Sequence, residues 1–317
     1  MFDSLWVEKY RPSILDDLVL SEYNRKYFES LRKNQECPNL MLSGCPGIGK
    51  STLAKILVND ILDCQELYIN ASEESGIDTI RSKVVGFSQT KSFDGKIKVV
   101  ILDEVDGLSS VTGGTGRSSA QQALRNVMEE YAGNTRFILT CNYRYKVIPA
   151  LHSRCQEFDL TPPFDDVVKR CVKILKAEGV KVENGDKKLL FDLIKSKYPD
   201  LRKIINVLQK SVINGKLYLV DNINNLEFAE DIFNKVVNKK DINNIREFYI
   251  QHEVQFGNDY HQLMKDFFEV VYSSGLEFNK KRALMLCIST AMYQHQIVMD
   301  AEINFYTCLL AISEEIG

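Results

Sequence analysis

Residues 44–51 read Gly-Cys-Pro-Gly-Ile-Gly-Lys-Ser, a G-x-x-x-x-G-K-[S/T] loop, and nothing else in the 317-residue chain narrows its fold so far. An apolar run, Asn39 to Ser43, precedes the loop, and Leu53, Ile56, Leu57 and Ile61 follow it at helical spacing. Strand, glycine-rich turn and helix in that order curl the backbone until successive N–H groups face a phosphate, and the helix dipole adds positive potential there. Lys50 is placed to reach the β- and γ-phosphates, and the Ser51 hydroxyl to ligate Mg²⁺. Such an eight-residue pattern arises by chance in roughly one chain in a hundred of this length. The expectation is a chain that binds ATP or GTP.

Strand–helix alternation continues beyond the loop. Apolar runs at 39–43, 67–70, 97–103, 136–142 and 156–160 read as strands, with helical patterns near 50–61, 77–88 and 120–131 between them. That alternation predicts an α/β fold, a parallel five-stranded sheet covered by helices. Pro162-Pro163 closes the unit, and the pattern from 165 to about 214 is helical throughout. Leu219 to Leu226 reads as a linker, and roughly five amphipathic helices follow it. The predicted organisation is a nucleotide-binding domain over 1–160, a helical lid over 161–220 and an all-α domain over 221–317.

No apolar run approaches the ~20 residues of a membrane span, and the N-terminus MFDSLWVEKYRP lacks a signal-peptide core. The expectation is a cytoplasmic protein. Eight scattered cysteines, with no C-x-x-C pair, argue against zinc and a disulfide framework. The net charge of −3 conceals a basic segment, residues 161–222, with 13 basic against 8 acidic residues. Any DNA contact therefore falls to local patches multiplied by assembly, since the chain as a whole is not basic.

Val99 to Glu104 forms a buried strand ending in two carboxylates. At the carboxyl edge of a parallel sheet, Asp103 can hold Mg²⁺ through water, and Glu104 can orient and deprotonate an attacking water. Solvated strand-end acids are the plain alternative. The next buried strand ends at Asn142, which either bonds the γ-phosphate side or only forms a turn. Arg154, just before the last strand, and Arg202, opening the last lid helix, can each supply charge to a transferring phosphoryl group, or form surface salt bridges.

Together these residues resemble those of AAA+ clamp-loader ATPase subunits, such as the small subunits of replication factor C and the ATPase subunit of T4-type phage clamp loaders. The resemblance runs over nearly the whole chain, on WVEKYRP (6–12), GCPGIGKS (44–51), NASEESGIDTIRSKV (70–84), VVILDEVD (99–106), AQQALRNVMEEY (120–131), RFILTCN (136–142), SRC (153–155) and PDLRKIIN (199–206). It implies that Arg154 is an arginine finger acting in trans on a neighbouring subunit's ATP. It further implies that Arg202 is a lid arginine at the γ-phosphate of its own subunit and Asn142 a sensor on the sheet. Tyr10, Arg11 and Pro12 would wall the adenine, and Gly47, Ile48, Gly49, Lys50, Ser51 and Thr52 would hold the phosphates. Gln121 and Arg125 would couple nucleotide and DNA status across the subunit boundary.

Ser72, Arg81, Lys83 and Arg117 match the family's DNA-contacting regions, although a solvated helix face also accounts for Arg81 and Lys83, and residues around 107–119 carry an insertion. Phe87 to Phe93 matches a clamp-contact region, with Phe87 equally suited to the core. The resemblance implies ATP and Mg²⁺ as ligands, with a sliding clamp, primer–template DNA and other clamp-loader subunits as partners. PDLRKIIN leans towards the phage loader, four copies with one different subunit. A helicase loader or branch-migration motor is the rival reading. A non-hydrolysing scaffold is disfavoured by the full set Lys50, Ser51, Asp103, Glu104, Asn142, Arg154 and Arg202.

Overall fold

The computed structural model describes residues 5–34, 37–73, 77–90, 95–108, 119–182, 186–213, 215–218, 225–237, 242–253, 256, 258–295 and 297–316, with the backbone alone at 77–81, 225 and 242–243. It divides into two compact units, residues 1–218 and 219–317.

The first unit opens with helices α1 (Trp6–Lys9) and α2 (Glu22–Asn34), then strand β1 (Leu40–Ser43) and helix α3 (Lys50–Ile56). The chain then alternates through β2 (Glu66–Asn70), α4 (Ile77–Gln89), β3 (Lys98–Asp103), α5 (Ala120–Glu130), β4 (Thr135–Cys141), α6 (Pro149–His152) and β5 (Gln156–Asp159). All five strands run parallel in the order β2-β3-β4-β1-β5. The predicted sheet is therefore present, each strand within a residue or two of its apolar run. Helix α3 does not stay α-helical to 61: a π-helical turn, Leu57–Leu62, succeeds it.

Alternation of side chains across the pleat explains why these strands read as unbroken apolar runs. Leu40, Leu42, Val99, Ile101 and Ile138 join Phe28, Leu31, Leu53 and Leu57 of α2, α3 and the π-turn in one core. Their neighbours Met41, Val100, Leu102, Phe137 and Leu139 join Val84, Leu124 and Val127 of α4 and α5 in another. Both faces are covered, which leaves the middle of each of these strands apolar throughout.

Helices α7 (Phe164–Ala177), α8 (Asp186–Lys197) and α9 (Leu201–Ser211) follow. The predicted helical run then stops short. A hairpin of β6 (Val212–Ile213) and β7 (Lys216–Leu217) replaces its last turn, with Ile213 opposite Lys216 and Gly215 at φ +73°. The second unit holds α10 (Asn225–Val237), α11 (Ile242–Gln251), α12 (Tyr260–Ser273), α13 (Phe278–Gln294) and α14 (Ala301–Ile316). These pack around a core of their own that includes Phe228, Tyr249, Phe267, Leu284 and Phe305. Among the described residues no helix is long and apolar enough to cross a membrane.

Candidate functional site

The register places the candidate residues along one rim. Ser43 pairs with Cys141, and Asn70 with Asp103, so the strand ends before Gly44, Glu104 and Asn142 share the carboxyl edge of the sheet. Strand β1 lies between β4 and β5, where the strand order reverses and parallel sheets open a crevice. Gly44, Gly47 and Gly49 lie at φ +136°, +77° and +99°. Those angles admit glycine readily and let the backbone turn its N–H groups into the loop.

At the centre of the loop Lys50 is 6% exposed. Its ammonium donates to the carbonyls of Gly44 and Cys45, each at 2.8 Å, and to Oδ1 of Asn142 at 2.7 Å. Burial lowers its pKa, opposed by nearby acidic groups including Asp103 and Asp106. The Asn142 amide and the loop lysine are thus in direct contact.

One strand over, Asp103 is buried beneath three hydroxyls. Ser51 and Thr140 donate to Oδ1 at 2.8 and 2.5 Å, and Tyr68 donates to Oδ2 at 2.7 Å. No cation is ion-paired with it among the described residues. This oxygen-only donor set, a carboxylate beside a loop hydroxyl, suits a hard divalent cation such as Mg²⁺. Burial, then the bond to Asp103, raises the pKa of the Tyr68 phenol, which keeps it a donor.

Glu104 adopts φ +58°, ψ +48°, a left-handed conformation uncommon for a bulky residue, and its N–H donates to the Thr140 hydroxyl at 3.0 Å. Its carboxylate has no hydrogen-bond or ion-pair partner among the described residues. Strain held at one acid beside a phosphate loop is the pattern of a positioned functional group. Asp106 accepts from the N–H groups of Asn142 and Tyr143 at 3.2 and 3.1 Å, fixing the turn after β4.

A pocket opens above the loop. Its empty volume, mouth included, is about 600 Å³, and Tyr10, Arg11, Pro12, Gly47, Ile48, Gly49, Thr52 and Arg202 line it, whereas Lys50 and Ser51 do not. Leu18, Val19, Arg170 and Ile205 also line it, residues that no sequence motif marks. Arg170 donates to the Tyr10 carbonyl at 2.9 Å, while Glu178 accepts from the Tyr10 hydroxyl at 2.5 Å and from Lys9 at 2.7 Å. Helix α7 therefore straps the N-terminal wall in place. No signal local to Arg170 reveals this, because its partner lies 160 residues away.

Helix α9 closes the other side. The Asp200 side chain caps its N-terminus by accepting from the Lys203 N–H at 2.9 Å, and the Arg202 N–H donates to the Gly47 carbonyl at 3.2 Å. A Cβ built on Gly47 would lie 1.9 Å from Asp200 Oδ1 and 3.2 Å from Arg202 Cβ. Gly47→Ala is thus expected to push the lid helix off the loop, weakening nucleotide binding by about tenfold or more, given ~1–3 kcal/mol of backbone strain alone. Titration with a fluorescent nucleotide checks this; unchanged affinity would contradict the packing.

Gln121 on α5 is fully buried and donates to the carbonyls of Leu108 and Lys146, both at 3.0 Å. Its Oε1 accepts from the Ile148 N–H at 2.8 Å. One amide thus ties the segment after Glu104 to the segment after Asn142. Arg125, one turn on, places Nη2 3.6 Å from Glu129 Oε2.

Arg154 lies away from the phosphate loop and from the strand ends at Asp103 and Asn142. It precedes β5, whose first residue Gln156 pairs with Leu40 at the amino edge of the sheet. A four-residue strand at ~3.3 Å per residue separates the two edges by about 10 Å. Its guanidinium is held instead by Glu129 and by the Ala150 carbonyl. Ser72 is exposed and donates to Asn70 Oδ1, and Lys83 is exposed on α4. The Arg81 side chain, Arg117 and residues 91–93 of the predicted clamp-contact segment lie outside the described residues. Phe87 is half-buried against the sheet core, with the Lys98 ammonium 4.5 Å from its ring centroid.

Residues 40–162 match the family described as ATPase family associated with various cellular activities (AAA). Residues 163–218 match the sliding-clamp-loader large subunit, AAA+ ATPase lid domain. A replication factor C small subunit of Methanococcus maripaludis is 38% identical over 74% of this chain and 70% of its own length. Another from Thermofilum pendens is 40% identical over 66% of this chain, and replication factor C subunit 4 of Saccharomyces cerevisiae is 39% identical over 69%. The chain spans slightly less than two thirds of these last two proteins, 63% and 66% of their lengths. The structure of a Thermotoga maritima RuvB variant aligns at a TM-score of 0.51 and 16% identity, covering 95% of this chain and 90% of that one, which bears on the fold alone. The chain belongs to the AAA+ clamp-loader family that includes the replication factor C small subunits.

Proposed function

We propose that this chain is the ATP-hydrolysing subunit of a sliding-clamp loader, taking primer–template DNA and a clamp as partners. The observation that carries the proposal is the junction of Lys50 with Asn142 and of Ser51 with Asp103, set beneath a pocket walled by Tyr10 to Pro12 and Arg202. The match of residues 163–218 to a clamp-loader lid supports it. Residues 1–160, 161–220 and 221–317 would serve as ATPase, lid and collar domains of a ring, on the phage-like plan of four copies with one different subunit. The ring would work in the cytoplasm.

The Lys50 ammonium exchanges its loop carbonyls and Asn142 for the β- and γ-phosphate oxygens of ATP. Ser51 and Asp103 would hold Mg²⁺, which neutralises phosphate charge when bound. Glu104 accepts a proton from water as the water oxygen bonds to the γ-phosphorus and the bond to the ADP oxygen breaks. Arg202 from the same chain and Arg154 from a neighbour carry the charge that spreads over the phosphoryl oxygens. Gln121 and Arg125 pass the state of one boundary to the next pocket. Ser72, Arg81, Lys83 and Arg117 track DNA phosphates, contacts that position the duplex without reading bases.

The test is ATP turnover by the purified assembly with and without clamp and primed DNA. A severalfold rise that fades with added salt is expected. A rate indifferent to both partners would return the chain to the helicase-loader or branch-migration reading.

A further inference from the structure

Glu129 occupies an unusual place between two arginines. Its Oε1 accepts from both Nε (2.8 Å) and Nη2 of Arg154, while Nη1 of Arg154 donates to the Ala150 carbonyl at 2.7 Å and the Ser153 hydroxyl at 3.2 Å. Every nitrogen of that guanidinium is thus committed within its own chain. The second oxygen of Glu129 stands 3.6 Å from Nη2 of Arg125, one helical turn earlier on α5. Arg125 Nε is buried without a hydrogen-bond partner among the described residues. Arg125 is thus paired with Glu129 only at this longer distance, while the nearer bonds of the same carboxylate go to Arg154.

We propose that Glu129 is a positioning residue that holds Arg154 back until a neighbour's triphosphate competes for it, and then tightens its existing, longer pairing with Arg125. The inference rests on the reading of Arg154 as a finger lent to the adjoining subunit. A guanidinium bonded to one carboxylate oxygen through two nitrogens is neutralised and held against its own chain. It reaches a phosphate only by leaving that oxygen, so retention raises the threshold for unstimulated hydrolysis. Once Arg154 leaves, Glu129 faces an uncancelled charge on one side only, and the i, i+4 spacing on α5 lets it close on Arg125. The same helix carries Gln121, whose three backbone bonds reach the segments behind Glu104 and Asn142. Departure of the finger is thereby felt at the chain's own pocket. Glu129 is 45% exposed at its side chain and Arg154 28%. The pair is wet enough to exchange partners, unlike a buried bridge.

The experiment compares unstimulated and clamp-plus-DNA-stimulated ATP turnover in assemblies carrying Glu129→Gln, Glu129→Asp, Arg154→Ala, and Glu129→Gln with Arg154→Ala. Glu129→Gln is expected to raise the unstimulated rate about two- to fivefold, the scale of a part-exposed ion pair. The stimulated rate should change less than about twofold, because the latch is already open there, and Glu129→Asp should restore part of the restraint. On the residual rate of Arg154→Ala the second substitution should have no effect. An unchanged unstimulated rate overturns the proposal, as does a fall in both rates or the same rise without Arg154. If Arg154→Ala alone keeps full stimulated turnover, the trans-finger reading itself fails, a result distinct from failure of the latch.

Discussion

An assembly carrying Arg154→Ala in every ATPase subunit is expected to bind ATP nearly as tightly as the parent and to lose its clamp- and DNA-stimulated turnover, by about 10³–10⁵-fold. Position supports this expectation as much as chemistry does. Arg154 precedes a strand whose first residue lies at the amino edge of the sheet, whereas Lys50, Asp103 and Asn142 gather at the carboxyl edge. It is not among the residues lining its own pocket. Removing it should therefore leave ground-state affinity alone and act on the transition state, where phosphoryl charge develops. Its present partners, Glu129 and the Ala150 carbonyl, belong to the surface of α5 and α6 and can be lost without unfolding a core. Single-turnover phosphate release beside a nucleotide titration separates the two effects. Equal loss of affinity and rate would place Arg154 in structural support.

Glu104→Gln should be nearly as severe and differ in kind. The amide preserves the size of the side chain and can hold a water, but it cannot take the proton. A fall of about 10²–10⁴-fold in turnover is expected, with ATP retained on the protein. The geometry favours this residue over Asp103 as base. Both Asp103 oxygens are occupied by Ser51, Thr140 and Tyr68, whereas the Glu104 carboxylate is unpartnered among the described residues. The backbone at Glu104 is held left-handed at a cost of about 1–3 kcal/mol, and Thr140 bonds its N–H. Normal phosphate release from the Gln variant would remove Glu104 from the chemistry.

Features local in sequence were legible before the structure. The loop at 44–51 announces itself by spacing, and β1, β3 and β4 are legible because helices cover both faces, leaving no polar alternation to blur them. Glu104 and Asn142 could be placed because strand ends of a parallel sheet share one edge. What escaped depends on contacts across long stretches of chain. Tyr68 reads as an ordinary strand aromatic, and its bond to Asp103 exists only because β2 lies beside β3. Thr140 looks like part of an apolar run, and Glu129 like one of two solvated acids at a helix end. The hairpin at 212–217 is a different matter. Asn214-Gly215 is a turn signal in its own right, but the helical period running through Leu208 masked it.

A finger that crosses between subunits is tested directly by mixed assemblies. Lys50→Ala chains keep the finger but lose the loop cation that grips phosphate. Arg154→Ala chains keep the pocket but have no finger to lend. Each alone should be inert in stimulated ATP turnover. Mixed in one ring, every boundary that sets an intact pocket against an intact finger should regain activity, and turnover should return in proportion to such boundaries. Continued silence of the mixed rings, with assembly verified by mass, would contradict a guanidinium supplied from next door.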